Sequence, residues 1–106
     1  ILAVDGVDGV FIGPSDLSAS MGYIGDAGHP VVVETINNGL NRIRAAGKYA
    51  GLLCLDPALT QSYIQQGASF VGVGVDTLLL AQETKKLAQR FKQGAAAEPT
   101  KPQAGY

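Results

Sequence analysis

The chain has 106 residues, a single cysteine and a formal net charge of −1, with 46% hydrophobic and 16% charged residues. That balance allows one domain with a core and gives no electrostatic reason to expect nucleic acid or an anionic membrane as a partner. Cys54 alone excludes an internal disulfide, no stretch is long enough to span a membrane, and Ile1-Leu2-Ala3-Val4 lacks the basic flank and long apolar run of a signal peptide. The expectation is a soluble, cytoplasmic protein.

Gly9 to Ile12 reads as a buried strand, apolar and free of charge, as in a parallel sheet. It stops at Gly13-Pro14, and Asp16 follows three residues after that glycine. One reading of Gly13 to Ser18 is a tight turn in which Asp or Ser caps a short helix through Ala19 and Met21. The other is functional: consecutive backbone N–H groups face an anion while the hard oxygens of Asp16 face a divalent cation. After a long insertion from Leu17 to Pro30, Val33, Ile36, Leu40 and Ile43 fall on one helical stripe, and Gly47 stands in the C′ position.

Ala50 to Leu55 reads as the second strand. Asp56 as N-cap and Pro57 at the first helical position then open a helix running through Leu59, Tyr63 and Ile64 to Gln66, where Gly67 ends it. Phe70 to Val75 reads as the third strand. Asp76 or Thr77 starts the last helix, with Leu80, Leu87, Ala88 and Phe91 as its apolar stripe. Composition changes beyond Lys92, so the division is a folded part over residues 1–93 and a tail over 94–106.

The pattern β-α-β-α-β-α implies α/β architecture, a parallel sheet with right-handed crossovers. Three units are too few for a closed barrel, which takes about 250 residues, and three strands apolar on both faces leave a sheet face and edges uncovered. The start at Ile1-Leu2-Ala3-Val4 reads as the end of an apolar helix, which favours a segment of something larger. Asp5 and Asp8 lie at the amino end of the first strand, opposite the end where α/β proteins place chemistry. Asp26 and His29 sit on the long loop, and His29, before Pro30, reads as a solvated loop residue. Cys54 reads as an inert buried thiol. Gly72-Val73-Gly74 lacks the third glycine of a dinucleotide fingerprint.

Gly6-Val7-Asp8-Gly9-Val10-Phe11-Ile12-Gly13-Pro14-Ser15-Asp16-Leu17-Ser18 strongly resembles the HpcH/HpaI aldolase family. Gly28-His29-Pro30, Arg44-Ala45-Ala46-Gly47-Lys48, and the run from Phe70 to Thr77 support the likeness. The resemblance implies the last three βα units of a (β/α)₈ barrel. It also implies a class II pyruvate aldolase, in which Mg²⁺, Mn²⁺ or Co²⁺ chelates a 2-oxo acid and stabilises the enolate released on carbon–carbon cleavage. On that resemblance Asp16 is a metal ligand, and the N–H groups of Ser15 and Asp16 hold the pyruvate carboxylate. Gly13 allows close backbone approach, and Leu53 borders the pyruvate pocket, with Val75 a weaker candidate. Asp76 is better read as a helix cap. No catalytic residue falls within this stretch: the family's second metal ligand, its enolate-stabilising arginine and its proton-transferring histidine have no counterpart here. The 106 residues alone are therefore expected to be inactive and to bind metal weakly.

The family also exchanges its last helix in hexamers, which would place Asp76 to Phe91 on a neighbour. The leading expectation is cleavage of 4-hydroxy-2-oxo acids, heptanedioate-derived or deoxy-sugar acids, to pyruvate and an aldehyde in aromatic-compound or sugar-acid catabolism. Two alternatives stand beside it. One is a non-catalytic α/β binding or assembly module. The other is a lyase of acyl-CoA esters, which calls for extra basic residues that the sequence lacks.

Overall fold

The computed structural model describes residues 1–92. In chain order they form β1 (Gly9–Ile12), α1 (Pro14–Ser20), α2 (Pro30–Ala45), β2 (Tyr49–Leu53), α3 (Pro57–Gln65), β3 (Phe70–Gly72) and α4 (Asp76–Phe91). Ile1 to Val73 form one compact unit and a second begins at Gly74. The expected tail over 94–106 lies outside the described residues.

In the first unit β1, β2 and β3 make one parallel sheet in sequential order. Each crossover therefore moves one strand in the same direction. Helices α2 and α3 share one core with β2, which puts both on the same side of the sheet. A doubly wound sheet instead reverses strand order and covers both faces, so this arrangement is that of consecutive βα units in a (β/α)₈ barrel.

The core is built from Val32, Ile36, Leu40 and Ile43 of α2, Ala50 and Leu52 of β2, Cys54, and Tyr63 of α3. Burying an aliphatic side chain of this size is worth roughly 1.5–3 kcal/mol, so this stripe carries much of the local stability. Val32, not Val33, completes it; Val33 is only half-buried. Likewise Tyr63 is buried while Ile64 is 43% exposed. Gly39 lets α2 approach the sheet, because a Cβ there would meet Ile12 Cδ1 at 3.0 Å. That close approach offsets the helix-propensity cost of about 1 kcal/mol for a mid-helix glycine.

Tyr63 presents a hydroxyl that is buried and makes no hydrogen bond to the described residues. Desolvation by burial, reinforced by nearby Cys54 and Asp56, pushes its phenol up to about 12.

β1 has the expected bounds, Gly9–Ile12, whereas the other two strands are shorter than their apolar runs. β2 covers Tyr49 to Leu53, not Ala50 to Leu55, and β3 ends at Gly72, not Val75. Leu53–Gly72 is the last pair of the ladder, and one more bond runs from Cys54 N–H to Gly72 O at 2.9 Å. Asp56 then turns the chain into α3, so nothing in β2 remains for Val73 to Val75 to pair with. Residues Ile1 to Val4 make a turn closed by Val4 N–H to Ile1 O at 3.1 Å, not the end of a helix.

Three helices end alike. Gly22, Gly47 and Gly67 adopt positive φ, and in each case two bonds run back to the last helical turn, as in Tyr23 N–H to Ser18 O and Gly22 N–H to Ala19 O. These are Schellman motifs, and glycine carries no Cβ penalty at their left-handed position. The starts differ. Asp56 Oδ1 accepts Leu59 N–H at 2.8 Å, as its N-cap pattern predicts. His29 is the N-cap of α2: its Nδ1 accepts Val31 N–H at 3.2 Å and its ring stacks on Tyr23 with centroids 4.1 Å apart. It is therefore structural, not a solvated loop side chain. In the second unit Val75 is the N-cap of α4, and Asp76 sits one place later, taking Thr77 N–H at 2.8 Å.

The face of the sheet away from α2 and α3 is uncovered among the described residues: Phe11, Tyr49 and Phe70 are 53%, 66% and 44% exposed. Register puts Gly9 beside Tyr49 and Phe11 beside Gly51, which in turn lies beside Phe70; Leu53 lies beside Gly72. Successive layers thus alternate large and small across the strands. Barrel interiors are filled in this way, by layers whose side chains come from alternate strands. The uncovered face has the pattern of a barrel interior.

Candidate active site

Because the strands are parallel, β1 and β2 deliver their carboxyl ends to the same rim. Ile12 pairs with Leu52, so Gly13 and Leu53 stand one step further on, together. Leu53, half-buried, is the last residue of β2 and lies on the uncovered face; its Cδ1 sits 2.7 Å from where Gly72 would carry a Cβ.

The turn after β1 is a helix start of a different kind from the one expected. Neither Ser15 nor Asp16 is the cap: Gly13 is, and no side chain caps the helix. Pro14 takes the first helical position, where its fixed φ fits and its missing N–H costs nothing. Leu17 N–H is the first to bond back along the backbone, to Gly13 O at 2.9 Å. Ser15 and Asp16 precede it, at the end of the helix where N–H groups point outward and anions are favoured. Ser15 is half-buried and Asp16 is exposed.

The Asp16 side chain curls back over Gly13: its Oδ2 lies 2.9 Å from where a Cβ at that position would be. The φ of −96° at Gly13 is open to any residue, so what glycine provides there is room for this carboxylate. Below the turn, Ser18 is fully buried and its hydroxyl donates to Ser15 O at 2.9 Å, holding the first turn from inside. Sequence reasoning passed over Ser18; the Ser15–Ser18 spacing of one helical turn is the signal that exposes it.

The residues brought together are Gly13, Ser15, Asp16 and Leu53, on one rim of the first unit. Val75 belongs to the second unit. Asp8 lies at the opposite end of the sheet, where its carbonyl accepts Tyr49 N–H at 3.0 Å. Cys54 is buried, with its Sγ 3.7 Å from Asp56 O. A carboxylate oxygen such as that of Asp16 suits one position around a hard divalent cation. Among the described residues no group of three or more His, Cys, Asp or Glu side chains could hold a metal ion.

Fold and site together define a barrel-type α/β segment with a carboxylate and a helix start on its carboxyl rim. The chain belongs to the HpcH/HpaI aldolase/citrate lyase family, which matches residues 1–82. It is 56% identical over 97 residues to a hydroxypyruvate/pyruvate aldolase of Pseudomonas aeruginosa, covering 92% of this chain and 36% of that protein. A 2-keto-3-deoxy-L-rhamnonate aldolase of Klebsiella pneumoniae is 55% identical over 96 residues, covering 91% and 36%. A 4-hydroxy-2-oxo-heptane-1,7-dioate aldolase of Salmonella arizonae is 56% identical over 91 residues, covering 86% and 35%. A crystal structure of an HpcH/HpaI aldolase from Desulfitobacterium hafniense superposes with a TM-score of 0.81 at 32% identity, covering 93% of this chain and 39% of that one. The chain thus spans about a third of the length of the curated relatives it matches.

Proposed function

We propose that this chain supplies part of the active rim of a divalent-metal-dependent aldolase that cleaves 4-hydroxy-2-oxo acids to pyruvate and an aldehyde. The observation that carries the reading is the meeting of the Gly13–Asp16 helix start with Leu53 on one carboxyl rim, in a chain of this family. The names of the relatives include both heptanedioate and deoxy-sugar-acid aldolases, and both substrate types suit the reading.

In this reading the Asp16 carboxylate is one ligand of Mg²⁺, Mn²⁺ or Co²⁺, and the remaining ligands come from outside the described residues. The cation, when bound, supplies positive charge that lowers the cost of negative charge developing as the carbon–carbon bond breaks. The N–H groups of Ser15 and Asp16 orient the substrate carboxylate at the start of α1, where the helix dipole favours an anion. Gly13 leaves room for the Asp16 side chain, and Leu53 excludes water beside the substrate. Residues 1–93 act as one functional part of the barrel. Helix α4, which has no buried residue and leaves Leu79, Leu80, Leu87 and Phe91 exposed, covers a neighbouring subunit in a hexamer. The unpaired thiol of Cys54 suits a reducing, cytoplasmic setting.

The test is pyruvate release from 4-hydroxy-2-oxoheptanedioate by the complete polypeptide that carries this chain, after chelation and again with Mg²⁺, Mn²⁺ or Co²⁺ restored. Activity should return with metal, and Asp16→Asn should lower kcat/KM at least a hundredfold, about 2.7 kcal/mol of transition-state stabilisation. Metal-independent cleavage, or full activity in Asp16→Asn, would sink the reading.

A further inference from the structure

The rim and the layer beneath it differ in what fills them. On the uncovered face the rim layer follows Gly13, Leu53 and Gly72, of which Leu53 alone has a side chain, and the Asp16 carboxylate reaches over Gly13. One layer toward the amino ends are Phe11, Gly51 and Phe70. The two rings lie 5.7 Å apart at 33°, on either side of Gly51 in the register. Gly51 is buried, and the Phe70 ring fills the place where its Cβ would stand. The Phe70 ring thus rests on the buried backbone of Gly51 with the Phe11 ring beside it. In the layer above, the only side-chain atoms near the two glycines are the Asp16 carboxylate over Gly13 and the Leu53 methyl over Gly72, the groups that would flank a bound acid. Two residues of strand separate the layers by about 6.6 Å, close to the length of a three-carbon acid.

We propose that Phe11 and Phe70 form the floor of the oxo-acid pocket and set the size of the substituent that the acid can carry on C3. This deepens the reading of the rim given above and rests on it. An acid held by its carboxylate at the start of α1, with Leu53 beside it, meets the rings with its alkyl end, leaving the outer side of C3 to the aldehyde. Pyruvate fits above the rings; 2-oxobutanoate, one methylene longer, presses on them. Leu53 and Gly72 set the width at the same level, since a side chain at 72 displaces the Leu53 methyl into the pocket.

The experiment compares pyruvate with 2-oxobutanoate as donor in metal-dependent aldol addition by the complete polypeptide. In Phe70→Leu the kcat/KM ratio of 2-oxobutanoate to pyruvate should rise about tenfold, the low end of what one methylene is worth in an apolar pocket. In Gly72→Ala the ratio should fall. A ratio unchanged within about twofold in Phe70→Leu, with pyruvate still turned over, overturns the floor while leaving the aldolase reading intact. Absence of metal-dependent pyruvate chemistry in the parent protein overturns the aldolase reading itself. Should Phe70→Leu not fold, Phe11→Leu and a structure of the parent with 2-oxobutanoate decide: C4 within about 4.5 Å of either ring supports the floor, and C4 placed elsewhere overturns it.

Discussion

The two faces of the sheet are made by different rules. Toward α2 and α3, β2 and the residue after it present Ala50, Leu52 and Cys54 to a continuous aliphatic stripe, and the match is one of summed apolar area. On the other face, the rings of Phe11 and Phe70 and the side chains of Tyr49 and Leu53 are each set beside a glycine in the register. The first face holds the chain together; the second is shaped. Substitutions on the helix side should move stability and leave substrate preference alone, whereas those on the open side should change substrate preference.

The sharpest way to break that contrast is Leu52→Ala. Leu52 is fully buried, and its truncation should cost about 2–5 kcal/mol with donor preference unchanged, measured by denaturant unfolding and by the pyruvate to 2-oxobutanoate ratio. A change in preference would show that the faces are coupled. Tyr63 gives the next largest effect. Its phenol is pushed from 10.0 up to about 12 by burial first, so the folded state favours the neutral form. That stability is fully present below pH 10, the unfolded value, and is lost as pH rises through about 12, a loss of roughly 2–3 kcal/mol. Tyr63→Phe should remove this alkaline decline and, because the hydroxyl is unpaired, cost little at pH 7. On the open face, Gly51→Ala should cost about 1–3 kcal/mol, because the Phe70 ring must move, and should alter donor preference as well. Removing the α2 cap with His29→Ala should cost about 1 kcal/mol, read as a shift in Tm. Smallest is Lys86→Ala in α4, whose exposed pair with Glu83 should contribute under about 0.5 kcal/mol.

Much of the helix-covered face is legible in the sequence because it is periodic. Ile36, Leu40 and Ile43 repeat at helical spacing, and Asp56-Pro57 announces α3 through local chemistry alone. Where the sequence misleads, distance along the chain is the reason. Val73 to Val75 are as apolar as a strand, yet the ladder stops because β2, some twenty residues earlier, has already turned at Asp56. Val32 and Val33 are indistinguishable by type, and only the direction of α2 over β2 selects between them. At the rim the position of Asp16 after β1 was readable, whereas the curl of its carboxylate over Gly13 was not, since nothing local distinguishes that glycine from one at a strained turn. The ring pair is hidden for the same reason, because its partners are set by tertiary register, whereas the partner of Ser18, Ser15, lies one helical turn away.

The pairing of rings with glycines also bears on how such chains diverge. Volume at 51 and volume at 70 are a single quantity divided between two strands, as is volume at 53 and 72. Growth of one partner forces the other to move or to shrink, so these positions should be inherited jointly, trading large for small between relatives while their sum stays level. A lineage changing its donor acid would then pass through paired exchanges across adjacent strands, with the single changes as its strained intermediates.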